Sequence, residues 1–262
     1  MAKPLFRFTV GPCLQQGLDI LAESINRTTE VLGVDNFDWV VCYNGLSREN
    51  LDFITKSIKD KPVRLFAQNW ADCPVNDHCQ SPRRLDGSFE WNGNRCGGTL
   101  WKASPPRVRM ETHEIVMDND IILLNKLPEI DEFLSCNNKA LILEEPIRFY
   151  GRYDMLFGPS EPFLNSGLMG FPPNYDFGKE VYVVWEKHGK YKNISQADEQ
   201  GLLTYTLNQL PSVRIKKDKM LEILARDFRS KITKDEIGIH FTQANRIPNH
   251  RAWKQYQEIY YG

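Results

Sequence analysis

The chain has 262 residues, 41% of them hydrophobic and 26% charged, with a formal net charge of -1. Those fractions exclude a disordered or collagen-like polypeptide, and the near-neutral balance excludes a global basic field that would draw the chain to nucleic acid or anionic lipid. The longest apolar runs, such as residues 121–124, fall far short of the roughly 18 residues of a membrane helix, and the opening Met-Ala-Lys-Pro lacks the apolar core of a signal peptide. A cytoplasmic protein without a transmembrane segment is therefore expected, and its six cysteines (13, 42, 73, 79, 96 and 136) are expected as reduced thiols.

In chain order, residues 5–10 are apolar and read as a strand, which Gly11-Pro12 breaks. Leu14, Leu18, Leu21, Ala22 and Ile25 then recur at helical spacing. Residues 39–43 form a second buried-strand run closed by Asn44-Gly45, Ser47 caps a helix through Leu51, Ile54 and Ile58, and residues 62–66 make a third strand. From 69 to about 98 the pattern dissolves into Pro, Gly, Asn, Asp and Cys; a loop of that length is commonly functional. A helix is predicted near 98–108. Strands are predicted at 113–117, with the apolar run continuing through 121–124, and at 140–143 and 163–171. Helices follow at 177–188 and 197–207, then strands at 213–215 and 237–241. Strands alternating with helices imply α/β architecture with a mostly parallel sheet. No clear internal boundary is visible. The chain reads as one domain over 1–262, with a nucleotide-binding part to about 125 and a sugar and acceptor part from about 126.

The sharpest local signal is Glu114-Ile115-Val116-Met117-Asp118-Asn119-Asp120. It sets two carboxylates, separated by one residue, at the carboxyl end of a buried strand, which is where open parallel sheets bind ligands. Oxygen donors of this kind suit Mn²⁺ or Mg²⁺ and, through the cation, a diphosphate. An Asp-Asn-Asp turn that merely caps backbone groups has the same sequence. Cys73, His78, Cys79 and Cys96 raise a zinc alternative, although their spacing is not a Cys-x-x-Cys pair. A lid over donor or acceptor, with Trp70 and Trp91 available for sugar stacking, accounts better for that loop. Arg107 and Arg109 read as surface charges beside a strand.

The order of strand, helix, strand, long loop, basic helix, Asp-x-Asp, Asn-Ser-Gly, acid-Gln-Gly-Leu-Leu and a late His-Phe resembles the GT-A glycosyltransferases, a Rossmann-like fold. Within them it is most similar to the family of glycogenin and the bacterial lipooligosaccharide galactosyltransferases, over about residues 6–253. The resemblance implies Asp118, Asp120 and His240 as cation ligands, with Asn119 between them on the donor. It implies donor contacts from Lys102 and from the turn Asn165-Ser166-Gly167, where glycine admits a close approach. The family keeps a glycine after the histidine and then a diphosphate-binding lysine. Here Gln243 stands at the glycine position, and Arg246 or Arg251 could serve as the clamp. Asp198-Glu199-Gln200 matches the family's acid-Gln pair with Glu199 in place of the usual aspartate; an amide near the anomeric carbon fits retention, whereas Glu199 or Asp198 as base would fit inversion. The nucleoside is expected against Thr9, Val10 and Gly11 on the first strand and Tyr43 and Asn44 on the second.

The expected activity is hexose transfer from a nucleoside-diphosphate sugar, UDP-sugar first, to a carbohydrate or glycoconjugate hydroxyl. A sugar nucleotidyltransferase would carry a glycine-rich basic loop after its first strand, and residues 11–16 have neither feature. A non-catalytic nucleotide-sugar-binding protein is the alternative from another class; retention of Asp118, Asp120 and His240 weighs against it.

Overall fold

The computed structural model describes residues 2–58, 60–68, 89–91, 94–96, 107–188, 196–224, 231–244 and 247–262. Its centre is strand β1 (Leu5–Val10), buried along its whole length. A strand covered on both faces has no polar alternation to show, which is why the sequence reads as an unbroken apolar run. Parallel to it lie β2 (Asp38–Tyr43) on one side and β6 (Glu114–Asp118) on the other.

The sheet continues outward from β2 to β3 (Val63–Ala67) and from β6 to β9 (Leu164–Phe171), β8 (Ala140–Glu144) and β10 (Ser212–Ile215). The order is β10-β8-β9-β6-β1-β2-β3, and only β9 runs against its neighbours. The mostly parallel α/β sheet inferred from the sequence is therefore present. Helices α1 (Gln15–Leu32) and α2 (Arg48–Ser57) cover one face, where Leu18, Leu21, Ile25 and Ile54 meet Phe6, Phe8, Val41 and Met117. The Ser47 hydroxyl accepts from Asn50 N, so the predicted cap is formed. On the opposite face α4 (Phe177–His188) and α5 (Gln196–Leu207) set Val181, Trp185, Leu202 and Leu203 against Val116, Ile142 and Met169.

Residues 121–124 do not extend β6. The backbone turns at Asn119-Asp120 and enters β7 (Ile121–Leu123), which belongs to a second sheet of order β11-β12-β7 with β11 (Leu221–Glu222) and β12 (Gly238–His240). Tertiary contacts override the apolar continuity: Phe241 N donates to Asp120 O and the Ser24 hydroxyl to Ile121 O. Ile121 and Leu123 pack into the α1 side, while Ile122 joins Phe241, Trp253 and Tyr256, the last two on the terminal helix α6 (Arg251–Tyr261). The sequence reading omitted α3 (Pro128–Leu134), which opens on a proline, and a 3-10 turn at Gly151–Leu156. In the long loop, β4 (Phe89–Trp91) and β5 (Asn94–Cys96) pair as a hairpin. Of the helix expected near 98–108, residues 98–106 lie outside the described residues, and 107–108 are not helical. Cys73, His78 and Cys79, with Trp70, also lie outside them.

Candidate functional site

The strand order reverses at β1, from which the chain proceeds to β2 on one side and returns later as β6 on the other. Such a switch point leaves a crevice at the carboxyl ends of the strands. Asp118 ends β6 there, in register with Thr9 at the end of β1. Asn119 and Asp120 make the turn into β7, and β12 pairs antiparallel to β7 with His240 opposite Ile121. That register lands the imidazole beside the turn, with His240 Nε2 3.5 Å from Asp120 Oδ1. One donor atom from each of Asp118, Asp120 and His240 lies within 4.8 Å of the others.

Asp120 and His240 are buried, each 6% exposed. Burial disfavours the imidazolium, but the hydrogen bond to Asp120, its charge, and the charges of Glu222 and Asp118 outweigh it and push His240 up to about 9. The group is thus a proton held by carboxylates. A divalent cation can replace that proton, and two carboxylates plus one imidazole are a donor set fit for Mn²⁺ or Mg²⁺.

Around this cluster lies a shell of polar side chains. Gly167 N donates to Asn165 Oδ1 at 2.5 Å. A Cβ at Gly167 would stand 2.7 Å from Asn165 Oδ1, 2.8 Å from Ile121 Cδ1 and 3.5 Å from Asp118 Oδ2, so only glycine fits beside this ligand. Glu145, just past β8, is also buried. Burial and the neighbouring Glu222 charge push its carboxyl up to about 8, against the opposing influence of His240 and a hydrogen bond with Asn165. Gln200 Nε2 donates to Glu145 Oε2 at 2.5 Å and to Leu164 O at 3.3 Å. The amide of Gln200 is therefore fixed through Glu145, whose carboxyl feels the His240 charge.

No protein-family model and no curated protein matches the sequence. Solved structures do resemble the fold. Galactosyltransferase LgtC, in complex with donor and acceptor sugar analogs, superposes with a TM-score of 0.60 at 10% identity, covering 96% of this chain and 92% of that one. WbbM, a bifunctional glycosyltransferase, gives 0.57 at 12% identity over 94% of this chain and 46% of its own. Mouse xyloside xylosyltransferase 1 gives 0.53 at 11% identity, covering 94% and 100%. The chain has the GT-A fold.

On this GT-A frame the structure brings Asp118, Asp120 and His240 together, with Gly167 beside Asp118 and bonded to Asn165; Asn119 and Ser166 are their buried chain neighbours, and Gln200 bonds to Glu145 and to the Leu164 carbonyl. Asp198 is engaged differently: its carboxylate accepts from Arg152 N at 2.7 Å and from the Arg152 guanidinium at 2.7 Å, tying α5 to the 3-10 turn. Glu199 beside it is buried at 4% exposure. At the nucleoside end, Val10 is buried and the Thr9 hydroxyl donates to Met117 O. Gly11 and Tyr43 are half-buried. Asn44 Nδ2 donates to Gln68 O at 2.6 Å, which commits that amide hydrogen to holding the end of β3.

Gln243, at the position where the resembling family keeps glycine, has φ 71, so the backbone retains the left-handed form without the glycine. Arg251 opens α6 and is exposed, while Lys102 and Arg246 lie outside the described residues. Arg107 corrects an expectation: it is no surface charge but is buried, with Nε 3.3 Å from Glu114 Oε2. Arg109, half-buried, pairs with Asp38 at 2.7 Å.

Sequence reasoning missed Glu145 and Glu222. For Glu145 a signal existed, because Glu144-Glu145 closes a predicted strand. For Glu222 there was none, since β11 is two residues long and shows no periodicity. No described helix is long and apolar enough to cross a membrane.

Proposed function

We propose that the chain is a metal-dependent glycosyltransferase that moves a hexose from a nucleoside-diphosphate sugar, UDP-sugar first, to a carbohydrate or glycoconjugate hydroxyl. The observation that carries this reading is the convergence of Asp118, Asp120 and His240 at the strand switch point of a GT-A sheet. Bound there, Mn²⁺ or Mg²⁺ supplies Lewis-acid stabilisation of the charge on the departing diphosphate. The chain's own residues do the rest. Asp118, Asp120 and His240 would hold that cation. Gly167 lets the sugar approach the backbone, with Asn165 and Ser166 as hydrogen-bonding partners. Arg246 or Arg251 holds phosphate oxygens, and Lys102 meets the donor. Thr9, Val10, Gly11, Tyr43 and Asn44 border the nucleoside.

Gln200, held by Glu145 and by the Leu164 carbonyl, is the neutral amide assigned to the anomeric carbon. With Asp198 occupied by Arg152, this arrangement favours retention of configuration, in which a phosphate oxygen of the leaving group takes the acceptor proton. Glu199 adds negative charge beside the reacting carbon.

The test is Mn²⁺-dependent hydrolysis across UDP-, GDP- and dTDP-sugars by wild type and Asp120→Ala. Slow hydrolysis of one donor, abolished in the variant, is expected. Absence of both hydrolysis and nucleoside-diphosphate binding in wild type would sink the reading. Binding without turnover, even with acceptors supplied, would favour the nucleotide-sugar-binding alternative.

A further inference from the structure

Gln16 lies in the first turn of α1, directly after the switch-point end of β1, and its side-chain amide is fully employed. Nε2 donates to Ala244 O at 2.8 Å and to Ile247 O at 3.1 Å, and Oε1 accepts from His250 N at 2.9 Å. All three partners belong to the connection between β12 and α6, more than 225 positions away in sequence. An amide is one of the few neutral side chains able to give two hydrogens and accept one at a single point.

The clasped connection begins beside the cation ligand. Phe241, next to His240, donates its N–H to Asp120 O; Ala244 N then donates to Phe241 O and Ile247 N to Gln243 O. Two of its residues, Gln243 at φ 71 and Asn249 at φ 55, hold left-handed backbone that a side chain disfavours. Backbone of that kind persists only where its surroundings over-determine it. The three bonds from Gln16 are such a constraint, and they come from the helix that follows the strand end expected to face the donor.

We propose that Gln16 is a positioning residue for the donor diphosphate. It fixes Ala244, Ile247 and His250 against α1, and so sets where Arg251, at the start of α6, meets the phosphates while touching neither the cation nor the nucleoside itself. This rests on the glycosyltransferase reading, because it needs a diphosphate at the cation. Position 16 is then specified by shape and hydrogen-bond inventory together: asparagine is one methylene too short, and glutamate presents oxygen where two carbonyls need a donor.

The experiment compares wild type, Gln16→Ala and Gln16→Glu by calorimetric titration with Mn²⁺ alone and with UDP, GDP and dTDP in saturating Mn²⁺. NMR titration with the nucleoside of the tightest diphosphate completes it. Both variants are expected to bind that diphosphate about tenfold more weakly, while Mn²⁺ and the nucleoside bind within about twofold of wild type. Unchanged diphosphate affinity would overturn the assignment. An equal loss for the nucleoside would overturn it too, since that marks general loosening. If Gln16→Ala does not fold, Gln16→Glu, which still accepts from His250 N–H, carries the same comparison. A wild type that binds none of the three diphosphates fails the glycosyltransferase reading itself, and the role of Gln16 falls with it.

Discussion

Strand β6 carries a buried charge cluster at each end, about 13 Å apart at the usual rise per residue, and the two are built on opposite plans. At its start Glu114 stands between Arg7, with Nε 3.1 Å from Oε1, and Arg107, with Nε 3.3 Å from Oε2; all three side chains are at most 1% exposed. Arg107 also donates to the carbonyls of Arg109, Thr112, Pro172 and Tyr175, so its guanidinium is met by the chain's own groups. At the other end Asp118, Asp120, Glu145 and Glu222 surround one histidine. Charge answered from within the chain builds scaffold, whereas a surplus of one sign at a crevice is a place for an external ion of the other.

The sharpest test of that contrast is Glu114→Gln. It leaves two buried guanidiniums without their carboxylate and should cost about 3–5 kcal/mol in urea unfolding. A loss below about 1 kcal/mol would break the comparison, because the closed cluster would then not be scaffold. Asp120→Asn should behave oppositely. It removes one of several like charges together with the chief partner of the His240 proton, so metal-free stability should fall by less than Glu114→Gln costs, while Mn²⁺ affinity falls about 100-fold by calorimetry.

The open end also predicts a pH dependence. His240 keeps its proton up to about 9 against an ordinary 6.5, so its contribution is fully present below 6.5 and is lost as pH rises through 9. Glu145, raised from 4.5 to about 8, acts with the same sign over its own window. The metal-free protein should therefore lose Tm steadily from pH 6.5 to 9. Saturating Mn²⁺ should flatten that slope, and Mn²⁺ affinity should climb across the same window as each cation displaces a proton. A flat metal-free curve would mean the carboxylates do not hold that proton.

The smallest expected effect concerns strain, which the chain accepts close to the open end. Gln243→Gly should stabilise by about 0.5 kcal/mol, relief of the left-handed cost being partly offset by the greater freedom of glycine when unfolded. Destabilisation would show that the Gln243 side chain, and not only its backbone, matters.

The sequence-readable part of the molecule is the part organised locally. The β1, α1 and β2 elements announce themselves by buried runs and by the 3.6 spacing of Leu14, Leu18, Leu21 and Ile25. The helix expected near 177–188 is present as Phe177–His188. The turn at Asp118-Asn119-Asp120 was legible, but not the path of β7 into a second sheet, which the distant Ser24 and Phe241 decide. Asp118 and Asp120 were legible from two residues of spacing, and His240 only through a resemblance. The embedding of Arg107 could not be read from an Arg-Val-Arg string, since the Pro172 and Tyr175 carbonyls that it binds are 65 and 68 positions away. Glu222 and Gln16 act purely through tertiary placement.

The pairing of β12 with β7 has a consequence for how the protein is made. Asp120 and His240 are 240 − 120 = 120 positions apart, yet neighbours in space. Synthesis reaches both aspartates well over a hundred residues before the histidine, that is, before the other half of the strand pair exists. A cation met before then would find two carboxylates and water; the third ligand arrives when β12 zips onto β7. A bound ion would then tie those two strands together, so that tight metal retention reports that the pair has formed.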